Sequence, residues 1–182
     1  NLSLDSTYWW KTISGLVPGQ SYTYQYLVDG IIKIADPFSP LILDPNNDNQ
    51  IGNLAYPDPI PYPANFTNGF VTVIQPGKTP YNWAHTNFNK PQNKDLVIYE
   101  LLVRDFLSTH SYLTLIDTLD YLEELGINAI ELMPPGEFEN NESWGYNPSF
   151  HMALDKYYGT PEHFKAFVDS CHGRGIAVII DI

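Results

Sequence analysis

The chain has 182 residues, of which 43% are hydrophobic, enough for a sizeable core in one or two domains. Its formal charge of −12, from 9 basic and 21 acidic residues, argues against nucleic acid and membrane surfaces as partners, since both reward basic patches. Aromatic residues make up 14% of the chain, which suits either tyrosine-rich β-structure or contact with the flat faces of sugar rings.

The first part of the chain has the short, alternating pattern of β-strands. "YWWKTISGL" is followed by a turn in "VPGQ" and then by "SYTYQYLVDG", where aromatic and polar residues alternate. Asp29-Gly30 is a hairpin signal, and "IIKIADPF" supplies the return strand. Because three or four strands cannot close two sheets, the pattern predicts part of an immunoglobulin-like β-sandwich.

A proline-rich stretch, "YPDPIPYPANF", follows and has proline at alternate positions. Proline blocks both helix and central strand, so we expect an extended connector. A short β-like segment and a polar stretch then precede a change of hydrophobic period at Asp95. We therefore divide the chain into the end of a β-sandwich with its connector (1–74), a linker (75–94) and the beginning of a second domain (95–182).

The second domain has the order β-α-β-loop-α-β. "LVIYELLV", "INAIELMP" and "IAVIID" are typical of strands buried on both faces. "SYLTLIDTLDYLEELG" predicts one helix that ends at Gly126, with four leucines on its buried face. These are Leu115, Leu119, Leu122 and Leu125.

A second helix is predicted in "TPEHFKAFVDSCHGRG", with Thr160 as N-cap and Pro161 at the first helical position. Its inner face consists of Phe164, Phe167, Val168 and Cys171. Nothing nearby in the sequence would activate the thiol of Cys171, so we expect it to pack in the core.

The alternation of strands and helices predicts a parallel sheet with right-handed connections, in an open doubly wound fold or a closed barrel. A dinucleotide-binding unit would have glycines directly after the first strand, where this chain reads "RDFLSTHSYL" without any. The predicted fold class is therefore α/β, the first three strands of a (β/α)8 TIM barrel preceded by part of the sandwich.

The segment after the second strand, "PPGEFENNESWGYNPSFHMALDKYYGT", is by far the longest loop expected. Loops of more than about 12–15 residues are usually functional or disordered, and in barrels the loops after the strands build the active site. Two interpretations stay open: aromatic side chains that stack on a ligand, or a loop that packs down through its own aromatics. The aromatic residues are Phe138, Trp144, Tyr146, Phe150, Tyr157 and Tyr158.

Several of these motifs, in this order, resemble the α-amylase family of retaining glycoside hydrolases, family 13. "LVIYELLVRDF" looks like its first barrel strand, "GINAIELMP" like its second-strand motif, and "ESWGYNPSFHMALDKYYGTPEHFKAFVDSCHGRGIAVIIDI" like the stretch that runs into its first conserved region. The preceding "YWWKTISGL", "YTYQYLVDG" and "ADPFSPLILDP" are similar to the end of a starch-binding module of the type called carbohydrate-binding module 48.

The resemblance implies roles for three residues. Tyr146 matches the aromatic residue that stacks against the sugar at the cleavage subsite, and Trp144 belongs to the same substrate-binding motif. Asp181 matches a mostly structural position near the active-site floor. The catalytic carboxylates, and the asparagine that binds calcium in many members, are expected beyond Ile182, so the 182 residues alone are expected to be inactive.

The implied substrates are α-1,4-glucans such as starch, glycogen or maltodextrins. A glucan branching enzyme or other transglycosylase, and a non-catalytic glucan-binding protein, are the alternatives. No cofactor or metal site is expected in this segment, although calcium is an option in the full-length protein. An extracellular or periplasmic bacterial protein is slightly favoured, and the oligomeric state stays open.

Other charged residues receive structural interpretations. Glu100 and Glu131, within apolar strands, either shape the site or, more simply, pair with a basic group elsewhere. Arg104 and Asp105 are expected to form a local ion pair. "EFENNE" lacks the spacing of a calcium loop and is expected to be solvated. His172 is expected to cap or pack, whereas no ligand role is assigned to His151.

Overall fold

The structure is a computed structural model and describes residues 8–182. Residues 1–7, at the start of the predicted sandwich segment, lie outside the described residues. The strands are β1 Tyr22–Tyr24, β2 Tyr26–Val28, β3 Ile32–Ile34, β4 Ile42–Leu43, β5 Val71–Ile74, β6 Ile98–Leu101, β7 Ala129–Leu132, β8 Gly136–Phe138, β9 Pro148–Leu154 and β10 Ala177–Ile180. The α-helices are α1 Val103–Phe106, α2 Tyr112–Ile116, α3 Leu119–Glu124 and α4 Pro161–Gly173.

The N-terminal region forms two small antiparallel sheets. β1, β5 and β4 make a three-stranded sheet in that spatial order, and β2 pairs with β3 as a separate hairpin. The hairpin turns at Asp29 and Gly30, which both have positive φ, as the sequence predicted. "YWWKTISGL" contains only an isolated bridge residue at Trp9. The immunoglobulin-like sandwich itself stays a prediction.

The three apolar strands of the second half form a parallel sheet, with β7 between β6 and β10. β7 is the most buried of the three because it has a neighbour on each side. Its residues Ala129, Ile130 and Leu132 have no measurable exposure. The predicted parallel α/β arrangement is therefore confirmed.

Helix α4 begins as predicted. The Thr160 hydroxyl oxygen accepts the backbone N–H of His163, while the His163 side chain accepts the backbone N–H of Thr160, so the two form a capping box in front of Pro161. Phe167 and Cys171 on its inner face are fully buried in the main core.

Cys171 is the single cysteine of the chain, and the predicted packing role fits its complete burial. Burial raises the pKa of its thiol to about 12. The group is therefore a small core hydrophobe at neutral pH rather than a nucleophile.

The single helix predicted between the first two strands is wrong in one respect, since the structure has two short helices with a break at Asp117 and Thr118. The Thr118 hydroxyl donates a 2.7 Å hydrogen bond to the carbonyl of Leu115 and competes there with the helical backbone. Leu125, the C-cap residue of α3, is 50% exposed and does not belong to the buried face that the sequence predicted. The other three leucines of the predicted face are buried.

The long segment after β7 is not an irregular loop. Its two ends pair as an antiparallel hairpin, β8 with β9, whose register is irregular. We call β8, β9 and the residues between them the tip hairpin. Its β9 strand packs on the N-terminal region, where Ala153 forms a buried cluster with Ala35 and Ile42.

The predicted linker is anchored rather than free. It runs back across α4, where the buried carboxylate of Asp169 accepts the backbone N–H groups of Ala84 at 2.8 Å and His85 at 2.9 Å. Phe88 stacks on His172 with ring centroids 4.1 Å apart, which confirms the predicted packing role of His172. No helix among residues 8–182 is long and apolar enough to cross a membrane.

Candidate functional site

The candidate site lies at the carboxyl ends of the three parallel strands, where barrel folds place their functional groups. β6 leads into Arg104 and Asp105, β7 into the tip hairpin, and β10 into Asp181. The backbone N–H of Asp181 donates to the carbonyl of Leu132 at 3.0 Å and so continues the pairing of β10 with β7. This ladder fixes the position of the Asp181 side chain relative to the base of the hairpin.

The structure brings two of the sequence-predicted residues together. The hydroxyl of Tyr146 donates a 2.6 Å hydrogen bond to the carboxylate of Asp181. That bond, followed by partial desolvation and the charges of Asp181, Glu100 and Glu131, raises the pKa of Tyr146 to about 12. Tyr146 therefore keeps its proton at neutral pH. The hydrogen bond to Asp181 restrains the hydroxyl end of the side chain, while Tyr146 stays 54% exposed.

The backbone beside this tyrosine is tightly constrained. Gly145 has φ of 95°, and a Cβ placed on it would lie 2.2 Å from the carbonyl oxygen of Pro134. Only glycine allows this approach, and the contact presses the tip of the hairpin against the end of β7. Trp144, directly before Gly145, is 60% exposed. The hydrogen bond to Asp181 comes from Tyr146 and does not involve Trp144.

A cavity of about 380 Å³ adjoins this pair. Its lining includes Tyr146, Asp181 and His151, together with Met152 and the prolines at the end of β7. The volume falls in the range of about 300–1,000 Å³ that small-molecule sites occupy. An exposed aromatic face beside carboxylate and imidazole groups suits a neutral, hydroxyl-rich ligand.

Two glutamates lie next to each other on the sheet. The parallel register pairs Glu100 of β6 with Glu131 of β7. Neither glutamate has an ion-pair partner among residues 8–182, so the basic partner expected from the sequence stays a prediction. Glu131 directly precedes Leu132, whose carbonyl accepts the N–H of Asp181, so this acidic pair lies close to the candidate site.

The predicted ion pair at the end of β6 is confirmed. Arg104 contacts Asp105 through two parallel hydrogen bonds of 2.7 and 2.9 Å. A further guanidinium nitrogen donates a 2.5 Å hydrogen bond to the carbonyl of Glu142, which belongs to the tip hairpin. The pair therefore connects the loop after the first strand with the loop after the second.

The packing interpretation of the aromatic segment is confirmed for two residues, whereas stacking of its exposed aromatics on a ligand stays a prediction. Phe138 and Tyr158 pack into the main core with exposures of 3% and 0%. Trp144 and Tyr146, near the middle of the segment, stay more than half exposed. The segment thus packs down at its two ends and presents aromatic faces at its tip.

The base of the hairpin contains a charged cluster that the sequence reasoning missed. The Lys156 ammonium is 4% exposed and contacts Glu137 at 2.5 Å and Asp48 at 3.2 Å. Asp155 lies beside it, and its carboxylate accepts the backbone N–H groups of Tyr157 and Phe138. A lysine between an aspartate and two tyrosines, "LDKYYG", was the only sequence signal.

Burial is the main influence on the carboxyl pKa values of this cluster. It raises the pKa of Glu137 to about 8 and that of Asp155 to about 6, against the opposing charge of Lys156. The single ammonium of Lys156 cannot neutralise the three carboxylates of Glu137, Asp48 and Asp155 in a site with little water. In addition, one carboxylate oxygen of Glu137 has no hydrogen-bond partner in the described chain. The cluster therefore retains a proton that the unfolded chain would release.

The segment "EFENNE" is not fully solvated, contrary to expectation. Glu137 and Asn141 are buried at 5% and 9% exposure, while the other polar residues are more open. No group of three or more histidine, cysteine, aspartate or glutamate side chains suited to a metal occurs among the described residues.

Comparison with known proteins places this geometry in context. Residues 108–182 match the family model described as the alpha amylase catalytic domain. Malto-oligosyltrehalose trehalohydrolase of Saccharolobus solfataricus is 34% identical over 152 residues, covering 83% of this chain and 25% of that protein. The enzyme of the same name from Arthrobacter ramosus is 31% identical across 100% of this chain and 28% of its own length.

A 1,4-alpha-glucan branching enzyme of Nitrosomonas eutropha is 40% identical over 107 residues, which is 56% of this chain and 14% of that enzyme. Among solved structures, a candidate α-amylase from Salmonella typhimurium superposes with a TM-score of 0.70 at 28% identity, covering 93% of this chain and 25% of the other. The chain spans about a quarter of the length of the trehalohydrolases it matches.

Proposed function

Because this chain belongs to the α-amylase family, glycoside hydrolase family 13, we propose that the protein is a retaining glycosidase that acts on α-1,4-linked glucans. The observation that carries the proposal is the hydrogen-bonded pair of Tyr146 and Asp181 at the carboxyl end of the parallel sheet. It lies where barrel enzymes bind substrate, and it holds an aromatic ring without burying it.

We propose that Tyr146 stacks against a glucosyl ring at the cleavage subsite. Sugar rings have apolar C–H faces that pack on aromatic side chains, while their hydroxyl groups need polar partners around the rim. Asp181 holds the hydroxyl end of the Tyr146 side chain through its 2.6 Å hydrogen bond, so less ordering entropy is lost when substrate binds. Trp144 is proposed to contact an adjacent sugar.

Retaining glycosidases use two carboxyl groups about 5–5.5 Å apart, one as nucleophile and one as general acid and base. We assign neither role to a residue of this chain. Glu100 and Glu131, paired in register beside Tyr146, are proposed instead to keep the floor of the site acidic. A negative floor favours the positive charge that develops on the sugar in an oxocarbenium-like transition state.

Within this class, the similarity to two trehalohydrolases, over 83% and 100% of this chain, favours hydrolysis of malto-oligosyltrehalose as the specific reaction. The second candidate is glucan branching, favoured by the 40% identity to a branching enzyme over 107 residues. A third, non-catalytic candidate is glucan binding through the tip hairpin alone. The three candidate functions can be distinguished by the products that the protein forms.

The test is to incubate the full-length protein with malto-oligosyltrehalose and, separately, with a linear maltodextrin. Release of trehalose supports trehalohydrolysis, new α-1,6 branches support transglycosylation, and binding without products supports the non-catalytic candidate. Absence of both binding and products with either α-glucan would contradict the proposal.

A substitution at the stacking residue completes the test. We expect Tyr146→Ala to lower turnover roughly 10²-fold, because a misplaced sugar can cost that much. Tyr121→Ala is the matched control, since Tyr121 is 53% exposed on helix α3 and lies outside the cavity. Unchanged turnover and binding in the Tyr146 variant would disprove its stacking role.

A further inference from the structure

A second cavity, of about 560 Å³, borders the tip hairpin. It shares no lining residue with the cavity beside Asp181, yet residues of segment 143–148 border both. Ser143 and Asn147 face the second cavity, whereas Gly145 and Tyr146 face the first. The hairpin tip is thus a partition with a cavity on each side.

The walls of the second cavity come from two distant parts of the chain. Asn47 and Gln50 belong to the N-terminal region, and Glu139, Asn140 and Glu142 belong to the hairpin. The site therefore exists only because the N-terminal region packs on the hairpin.

Hydrogen bonds hold these walls in place. Asn141 is 9% exposed, and its side-chain amide donates to the carbonyl of Asn47 at 3.1 Å. The Asn47 side chain in turn donates to the carboxylate of Asp44 at 2.6 Å. On the other wall, Arg104 fixes the backbone of Glu142. Groups held in this way lose little conformational freedom when they bind a ligand.

The chemistry of the walls selects a ligand class. Amides both donate and accept hydrogen bonds and carboxylates accept them, which matches the paired hydroxyl groups of a sugar. Glu139 and Glu142, in a chain of formal charge −12, disfavour anions. The partly buried ring of Tyr157, stacked 5.1 Å from His110, adds one flat apolar surface. A neutral saccharide fits all of these features.

We propose that this cavity is a second saccharide-binding site, in which Asn47 and Gln50 of the N-terminal region bind the same glucan chain that contacts Tyr146. Trp144, exposed on the partition, lies in sequence between the residues that face the two cavities. A chain long enough to cross the partition gains both sites, because the second contact is then intramolecular. The inference rests on the proposed function and extends it to chain-length selectivity.

The test compares a long and a short ligand, maltoheptaose and maltotriose, by calorimetry on the full-length protein. The variant combines Gln50→Ala with Asn140→Gly; Asn140 has φ of 61°, which glycine adopts without strain. Gln92→Ala is the matched control, an exposed glutamine outside the cavity. Gln50→Ala alone serves if the double variant melts at a lower temperature than the native protein.

We expect the variant to bind maltoheptaose about five- to tenfold more weakly, from the loss of hydrogen bonds worth about 0.5–1.5 kcal/mol each. Maltotriose affinity and the control should not change. If the native protein binds and turns over maltoheptaose but the variant binds both ligands normally, the second site is disproved and the proposed function stands. If the native protein neither binds nor cleaves any α-glucan, both fail together.

Discussion

The base and the tip of the same hairpin differ in how deeply their side chains are buried. At the base, Lys156 and Glu137 are buried and joined by a 2.5 Å hydrogen bond, and Phe138 lies in the main core. At the tip, Trp144 and Tyr146 expose more than half of their side chains. The aromatic and charged groups of the base are buried, while the aromatic side chains of the tip stay exposed, as the proposed contact with a ligand requires.

The comparison teaches that an exposed hairpin tip needs a rigid base to hold its geometry. The tip is held by local contacts, among them the close approach of Gly145 to Pro134 and the bond from Tyr146 to Asp181. Its geometry therefore depends on the base, which fixes where both strands of the hairpin begin and end. Stability and function should separate cleanly between the two regions.

The largest effect should come from breaking the base. Lys156→Met removes the only ammonium facing Glu137, Asp48 and Asp155 among the described residues, so the free energy of unfolding should fall by about 3–5 kcal/mol. Chemical denaturation of the full-length protein measures it. Lys165→Met is the control, because Lys165 lies on the surface and should change stability by no more than about 0.5 kcal/mol. Equal losses in the two variants would refute the buried-cluster interpretation.

A smaller effect, confined to function, should follow from releasing the tip. Asp181→Asn weakens the charge-assisted hydrogen bond from Tyr146, and turnover should fall about tenfold, since bonds to charged groups contribute about 1.5–3 kcal/mol. Tyr146→Phe removes the same bond from its other end while keeping the ring. Steady-state kinetics of both variants and of the double variant should show non-additive losses. Additive losses would mean that Asp181 acts independently of Tyr146.

Per pH unit, the smallest effect is a pH dependence of the base. Glu137 has its pKa raised from 4.5 to about 8, so the folded protein binds more protons than the unfolded chain between these values. Stability should therefore fall as the pH rises through this window, by at most about 1.4 kcal/mol per pH unit for one group.

Glu137→Gln should flatten this slope, because the glutamine cannot release a proton. Melting temperatures of the native protein and the variant from pH 5 to pH 8 provide the measurement, with Glu124→Gln, on an exposed surface, as control. Parallel slopes in all three proteins would contradict the retained proton.

Local signals in the sequence were sufficient for much of the fold. Thr160 and Pro161 specify the start of α4 because capping is decided by neighbouring residues. The three apolar strands and the aromatic tip were likewise visible in short stretches. The break at Thr118 was missed because a hydroxyl that bonds back to a carbonyl leaves the leucine periodicity intact up to that point.

The candidate site was only half predictable. Tyr146 and Asp181 were identified separately, but no pattern along the chain indicates that they share a hydrogen bond. Lys156 was missed for the same reason, since its partner Asp48 belongs to another region of the chain and lysine is usually exposed. Long-range pairing depends on tertiary structure, which a hydrophobic period does not encode.

The buried thiol of Cys171 is a native probe for the opening of helix α4. A thiol whose pKa is near 12 hardly reacts with an alkylating reagent until helix α4 moves away from the sheet. The labelling rate at a single, native position therefore reports how often this helix opens. No probe has to be introduced to time that motion with and without a glucan at the proposed site.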